Sequence, residues 1–80
     1  MRTMATIREH DSIVLTDDLE DGRFKAGDVG TVVFIHRGGE AYEVEFFTLN
    51  GETIDVVTVQ GNRVRAVEQS DITHARTLAG

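Results

Sequence analysis

The segment Asp17-Asp18-Leu19-Glu20-Asp21-Gly22 places four carboxylates directly before a glycine, as in a calcium-binding loop. The spacing does not fit that chemistry. With Asp17 in the first position, Leu19 falls where an oxygen ligand is required and Asp28 falls where a bidentate glutamate is usual. No flanking helices are expected either. We therefore interpret this segment as a solvated acidic loop and predict no metal site.

Residues that could carry acid–base or nucleophilic chemistry are scattered along the chain. The histidines, His10, His36 and His74, do not follow the spacing of a zinc site. The chain has no cysteine, so neither a thiolate nucleophile nor a disulfide is available. Ser12 and Ser70 lack a G-x-S-x-G motif, and so short a chain offers little concave volume for a substrate. We predict a protein that is not an enzyme and has no catalytic residues and no cofactor.

Acidic residues outnumber basic residues by 14 to 8, and the formal net charge is -6. Binding to nucleic acid relies on Lys and Arg, so this balance disfavours a nucleic-acid partner. Two segments contain acidic residues and no Lys or Arg, namely 9–21 and 38–62. The simpler interpretation is a solvated surface that keeps a small protein soluble. The alternative is a binding site for a basic partner.

Composition and turn residues predict a small all-β domain. Val, Ile and Thr supply 24 of the 80 residues, and these β-branched residues favour strands over helices. Strands are expected over 12–16, 30–36, 41–48, 53–59 and 64–67. Five short strands separated by turns are typical of a small barrel. No stretch approaches the length of a membrane span, and a cytoplasmic protein is expected.

The connections predict an antiparallel meander followed by a tail. Gly38-Gly39 and Asn50-Gly51 are typical of hairpin turns and join the second, third and fourth strands. Residues 17–29 show no periodicity and predict a long loop after the first strand. In the tail, Ser70 could cap a short helix, which would be marginal alone. The apolar residues of that helix would be Ile72, Ala75 and Leu78. We expect the tail, residues 69–80, to fray or to dock on a partner.

Alternation along the third strand assigns its two faces. The inward residues are Tyr42, Val44 and Phe46. The outward residues are Glu43, Glu45 and Phe47, the last of which could instead mark a bulge. On the second strand we assign Val32 and Phe34 inward, although Val33 and Ile35 compete for those positions. On the fourth strand Ile54 and Val56 are assigned inward against Asp55, and the alternation then breaks at Val57-Thr58-Val59, as it does where a strand bends or becomes buried on both sides.

Residues 25–33, Lys25-Ala26-Gly27-Asp28-Val29-Gly30-Thr31-Val32-Val33, resemble the strand-opening segment of KOW and SH3-like small barrels, in which Val29 and Val32 would face the core. A longer series of motifs over about 7–67 looks like an uncharacterised bacterial family of short stand-alone proteins, domain of unknown function 4926. These motifs are Ile7-Arg8-Glu9-His10-Asp11, Val14-Leu15-Thr16-Asp17-Asp18-Leu19, Gly27-Asp28-Val29-Gly30-Thr31-Val32-Val33, Ala41-Tyr42-Glu43-Val44-Glu45-Phe46, Gly51-Glu52-Thr53-Ile54 and Val64-Arg65-Ala66-Val67. The resemblance implies an antiparallel SH3-like barrel at 7–68 and a prokaryotic cytoplasm. It implies no activity.

The leading functional hypothesis is a non-enzymatic, acidic protein-binding module that uses an acidic face and a sheet edge. It could serve as an antitoxin or immunity-type neutraliser of a basic partner protein. Charge would steer the encounter and Phe47 would supply a buried anchor. The expected binding residues are Asp17, Asp18, Glu20 and Asp21 of the acidic loop and the outward residues Glu43, Glu45 and Phe47.

The alternative is a KOW-like RNA- or ribosome-associated module that contacts nucleic acid through Arg37, Arg63 and Arg65. A simpler role for Arg63 and Arg65 is to neutralise nearby carboxylates. The expected carboxylates are Glu43, Glu45 and Asp55. A homodimer is also plausible, because an incompletely closed barrel leaves strand edges that a second copy could cover.

Overall fold

The computed structural model describes residues 7–72 and 74–77. Its strands are β1 (Ser12–Leu15), β2 (Val29–His36), β3 (Ala41–Phe47), β4 (Thr53–Gln60) and β5 (Val64–Ala66). They form one antiparallel sheet of order β4-β3-β2-β1-β5, and the 3-10 turn Gly61–Arg63 joins the two edge strands. The all-β prediction is confirmed, with strand ends within one residue of the predicted ones. The sheet does not close into a barrel, because β4 and β5 are not paired.

Both predicted hairpin turns are present. In the turn between β2 and β3, Arg37, Gly38 and Gly39 all have positive φ, a conformation that glycine adopts without steric cost. In the turn between β3 and β4, Gly51 has a φ of 90° and its N–H donates to the carbonyl oxygen of Thr48 over 2.9 Å. Strands β2, β3 and β4 therefore form the predicted meander.

The core contains the inward residues that the sequence predicts for β3. Tyr42, Val44 and Phe46 are all buried, and Val32 of β2 packs in the same cluster. The register shifts between Phe46 and Phe47, so the bulge considered for Phe47 is present, and its side chain is exposed.

Three of the inward assignments are wrong. Phe34 is 50% exposed, because a register shift between Val32 and Phe34 reverses the alternation and brings Ile35 against the core instead. Val56 is exposed, because the alternation of β4 changes phase after Ile54 and places Val57 and Val59 inward. Val29 is also exposed, since the buried position beside it is occupied by Gly30.

The long loop between β1 and β2 contributes to the core. Leu19 and Phe24 are buried, and the Phe24 ring stacks on Phe46 with a centroid separation of 4.2 Å. The N–H of Leu19 donates to the carbonyl oxygen of Phe24 over 2.9 Å and holds the loop in this conformation. The loop is therefore more than a solvated acidic segment.

Helical structure among the described residues is limited to the 3-10 turn Gly61–Arg63. The helix considered for the tail is not formed by residues 67–72 or 74–77, and Leu78 lies outside the described residues. Instead, the N–H of Asp71 donates to the carbonyl oxygen of Glu68 over 3.0 Å and forms an isolated turn. No helix in the described part of the chain is long and apolar enough to span a membrane.

Candidate functional site

The carboxylates of the acidic loop bind neighbouring groups and do not converge on one point. Asp18 Oδ1 accepts the backbone N–H of Ala26 at 2.8 Å, and Asp21 Oδ1 accepts that of Arg23 at 2.9 Å. Glu20 forms an ion pair with Arg63 at 2.7 Å, whereas Asp17 accepts the hydroxyl of the preceding Thr16. Across the described ranges, no group of three or more His, Asp or Glu side chains could hold a metal ion.

We define the outer face as the side of the sheet opposite Tyr42, Val44 and Phe46. Residues directly opposite each other on neighbouring antiparallel strands share a face, so the register identifies two rows across it. The first row is Phe34, Glu43 and Thr58; the second row is Thr31, Glu45 and Val56. Exposed apolar side chains thus lie beside both carboxylates of β3.

A hydrogen-bonded group on the outer face orients Glu43. Glu43 Oε2 lies 2.6 Å from His36 Nε2. The two carboxylate oxygens of Glu43 accept the Thr58 hydroxyl at 2.9 and 2.8 Å. The hydrogen bond from His36 and then that from Thr58 lower the pKa of Glu43 below its usual value, so the carboxylate is charged at neutral pH. Glu45 accepts the Thr53 hydroxyl at 2.5 Å. Neither glutamate pairs with a Lys or Arg among the described residues.

The structure does not bring the acidic loop and the outer face together on one surface. Phe24, which follows the acidic loop, stacks on Phe46 at the inward side of β3. The ion pair between Arg23 and Asp55, 3.1 Å apart, holds the same loop near the strand position opposite Phe46. Glu43 and Glu45 therefore lie apart from the four predicted binding residues of the acidic loop.

Arg37, Arg63 and Arg65 do not form one basic surface. Arg63 binds Glu20 and Arg65 binds Asp71, so the expected pairing with Glu43, Glu45 or Asp55 is wrong. Asp55 instead pairs with Arg23. Arg37 is exposed in the turn between β2 and β3.

An apolar cleft of about 660 Å³ lies between the sheet, the end of the long loop and the tail. Buried or half-buried Val14, Phe46 and Ile54 contribute to its lining. Of the eight large apolar side chains that are exposed in the described part of the chain, five line this cleft. They are Val29, Phe47, Leu49, Val67 and Ile72. Phe47 was expected on the binding surface with Glu43 and Glu45. In the structure it lines the cleft.

An ion pair between Asp28 and Arg76 holds the tail beside the cleft. Arg76 donates from Nε and Nη2 to the two Asp28 oxygens over 2.8 and 2.6 Å, and Nη2 also donates to the carbonyl oxygen of Arg23 over 2.7 Å. His74 Nε2 lies 3.4 Å from Asp28 Oδ1. Burial acts to raise the pKa of Asp28, but hydrogen bonds from Arg76 and the Lys25 N–H, with the charges of Arg76 and His74, outweigh it and leave this pKa lowered.

A second ion pair fixes the start of the tail. Arg65 donates from Nη1 and Nη2 to Asp71 over 2.9 and 2.8 Å, and the N–H of Glu68 donates to Asp71 Oδ2 over 2.6 Å. The hydrogen bonds from Arg65, and then that from Glu68, lower the pKa of Asp71 to about 2. Sequence reasoning missed Asp28, Asp71, His74 and Arg76 as partners. No local pattern connects residue 28 to residue 76.

The family profile described as "Domain of unknown function (DUF4926)" matches residues 9–66, which include all five strands. The chain belongs to this family. The matched region contains Asp28, Arg65 and the outer face, whereas Asp71 and Arg76 follow it. No curated protein and no solved structure matches the chain significantly. The family therefore supplies no activity and no ligand for comparison.

The low pKa of Asp71 predicts how the ion pair with Arg65 responds to acid. A carboxyl group whose pKa is lower in the folded state stabilises that state above its unfolded pKa, and the contribution is lost as pH falls through the folded pKa. The stabilisation by Asp71 should therefore disappear as pH falls from the usual value of 3.8 to about 2. We expect wild type and Asp71→Asn to differ in urea midpoint at neutral pH and to converge towards pH 2.

An NMR titration of the Asp71 side-chain carbon measures the same pKa directly. The expected midpoint is about 2. A midpoint near the usual 3.8 would contradict a formed ion pair with Arg65, as would an Asp71→Asn variant with wild-type stability at neutral pH.

Proposed function

We propose that this protein is a non-enzymatic protein-binding module whose outer face binds a basic partner protein. The observation that carries the proposal is the half-exposed ring of Phe34, which lies directly opposite Glu43 in the sheet register. An exposed aromatic ring beside carboxylates that have no Lys or Arg partner among the described residues provides both an apolar anchor and a charge that attracts cationic side chains.

The surroundings of Phe34 support its role as the anchor. Its ring packs edge-on against His36 at a centroid separation of 4.9 Å, and His36 is in turn bonded to Glu43. This contact restricts the ring before a partner arrives, which reduces the entropy lost on binding. Phe34 therefore takes the anchoring role that the sequence assigned to Phe47.

The charge of the whole chain favours the same class of partner. A net charge of -6 accelerates the encounter with a basic protein through long-range attraction and disfavours association with acidic surfaces. Neutralisation of a basic toxin, as by an antitoxin or immunity protein, is one biological form of this binding. We also propose that the protein is bacterial and acts in the cytoplasm, as the sequence resemblance implies.

We further infer that the sheet is an open member of the SH3-like barrels. The supporting features are the long loop after β1, the meander of β2, β3 and β4, the 3-10 turn Gly61–Arg63, and the return of β5 to pair with β1. This likeness concerns architecture only, because one fold hosts many unrelated functions.

Affinity capture from the native host tests the outer face with a matched control. Glu43→Lys/Glu45→Lys changes that face, and Asp17→Lys/Asp21→Lys changes the acidic loop by the same number of charges. We expect the first variant to lose the partner and the second to retain it. A third variant, Phe34→Ser, should also lose the partner while its net charge is unchanged.

Two results would contradict the proposal. Recovery of the same partner by wild type and by Glu43→Lys/Glu45→Lys would remove the outer face from the interaction. Equal loss with both double variants would show that binding follows net charge alone. Circular dichroism of each variant confirms that the sheet is folded.

The RNA-binding alternative has less support from the geometry. Arg63 and Arg65 each form an ion pair within the chain, so a phosphate would have to displace Glu20 or Asp71. An electrophoretic mobility shift with total RNA at low salt tests this alternative. Binding that weakens steeply with salt would favour RNA over a protein partner.

A further inference from the structure

The apolar cleft concentrates exposed apolar surface in a way that the outer face does not. Five exposed apolar side chains line it, whereas the other three, Val33, Phe34 and Val56, lie outside it on β2 and β4. Apolar side chains gathered in one cleft are typical of ligand sites, because a ligand that covers them removes apolar surface from water. This patch is also concave, and its volume of about 660 Å³ falls within the range of small-molecule sites.

The walls of the cleft are held in place without a ligand. Asp28 and Arg76 join the long loop to the tail, and Arg65 and Asp71 join β5 to the start of the tail. Both contacts are bidentate, which restricts the relative orientation of the two side chains. Asp71 and Arg76 therefore hold the described tail residues of the lining in place, and a ligand need not order them.

The charges at the cleft decide which ligands fit. The lining contains two carboxylates, and each is paired with an arginine. Asp28 pairs with Arg76, and Asp71 pairs with Arg65. An anionic or cationic ligand would have to compete with one of these pairs for its partner, and His74, which also lines the cleft, already lies 3.4 Å from Asp28. A neutral ligand incurs no such cost. A peptide would bring its own backbone donors and acceptors into an apolar lining, where they would lack partners.

We propose that this cleft binds an uncharged, mainly apolar small molecule, with Phe47 forming part of the contact surface. The ligand lies against Phe47, Leu49 and Val67 and is bordered by the ion pairs of Asp28 and Asp71. This binding site is independent of the outer face, because neither Phe34 nor Glu43 lines the cleft.

The test is a fluorescence titration with N-phenyl-1-naphthylamine, an uncharged apolar probe. We expect saturable binding to the full chain. Phe47→Ser should weaken binding at least about fivefold, since half of an aromatic side chain's contact area is lost. Phe34→Ser is the matched control, because Phe34 and Phe47 are similarly exposed, at 50% and 46%, but only Phe47 lines the cleft. Phe34→Ser should bind the probe as wild type does.

Three results would overturn the proposal: absence of saturable binding, equal loss of binding in the two variants, or tighter binding of the anionic analogue 8-anilinonaphthalene-1-sulfonate. The last result would show that the arginines select an anion. Light scattering distinguishes a further case. A dimer that dissociates when the probe is added would show that a second copy of the chain, and not a small molecule, occupies the cleft.

Discussion

Replacing Phe46 with alanine is expected to lower the free energy of unfolding by about 3–5 kcal/mol, the usual cost of deleting a buried aromatic ring. Phe46 is 3% exposed, and its ring stacks on Phe24 of the long loop. The substitution therefore removes packing within the core and one of the contacts that hold the loop on it. A loss of this size approaches the whole stability of many small domains, so much of the variant should be unfolded near room temperature.

Urea unfolding followed by circular dichroism measures this effect. Phe47→Ala is the closest control, because the neighbouring ring is 46% exposed and should lose much less stability. Glu45→Gln should change stability by less than about 0.5 kcal/mol, since the amide oxygen can still accept the Thr53 hydroxyl. A stable Phe46→Ala combined with a damaging Glu45→Gln would mean that the two faces of β3 are exchanged, and the outer-face proposal would fail.

Replacing Gly61 with alanine should cost at least about 3 kcal/mol, at the upper end of overpacking effects. Gly61 begins the 3-10 turn between β4 and β5, and its N–H donates to the carbonyl oxygen of Glu40 over 2.9 Å. A Cβ at this position would overlap the backbone carbonyl oxygen of Gly39. Because the obstructing atom belongs to the backbone of a tight turn, a side-chain rotation cannot relieve the overlap.

The same substitution at Gly22 separates the steric effect from backbone strain. Gly22 has a φ of 75°, and a Cβ there would meet no atom within 4 Å. Gly22→Ala should therefore cost only about 1–2 kcal/mol, the penalty for a left-handed conformation. Urea midpoints rank the two variants. A Gly61→Ala protein that is at least as stable as Gly22→Ala would contradict the close approach of the 3-10 turn to the β2–β3 turn.

The sequence by itself determined the strands, the hairpins and the inward face of β3. These features depend on local physics: β-branched residues favour extended backbone, glycine permits the positive φ of the turns, and alternation with period two identifies the buried side. Tyr42, Val44 and Phe46 alternate without interruption, so a slip of one residue would bury Glu43 and Glu45, and only one register is acceptable.

Only the tertiary structure decided which aromatic ring belongs to which surface. The bulge between Val32 and Phe34 reverses the alternation of β2, and this places Phe34 on the outer face. Residues 32–35 are four consecutive apolar residues, so the sequence contains no alternation there that could reveal such a change of phase. At the end of β3, Phe47 continues the alternation in sequence, yet in the folded chain its ring lines the apolar cleft.

The ion pair between Asp28 and Arg76 was also decided by the tertiary structure alone. Arg76 binds Asp28 across 48 positions of the chain. Before folding, any of the 14 acidic residues could pair with any of the 8 basic ones, because attraction between charges does not depend on sequence pattern. In the folded chain the long loop packs on the core through Phe24. That packing carries Asp28 to the place where the tail passes, and the apolar cleft forms between them.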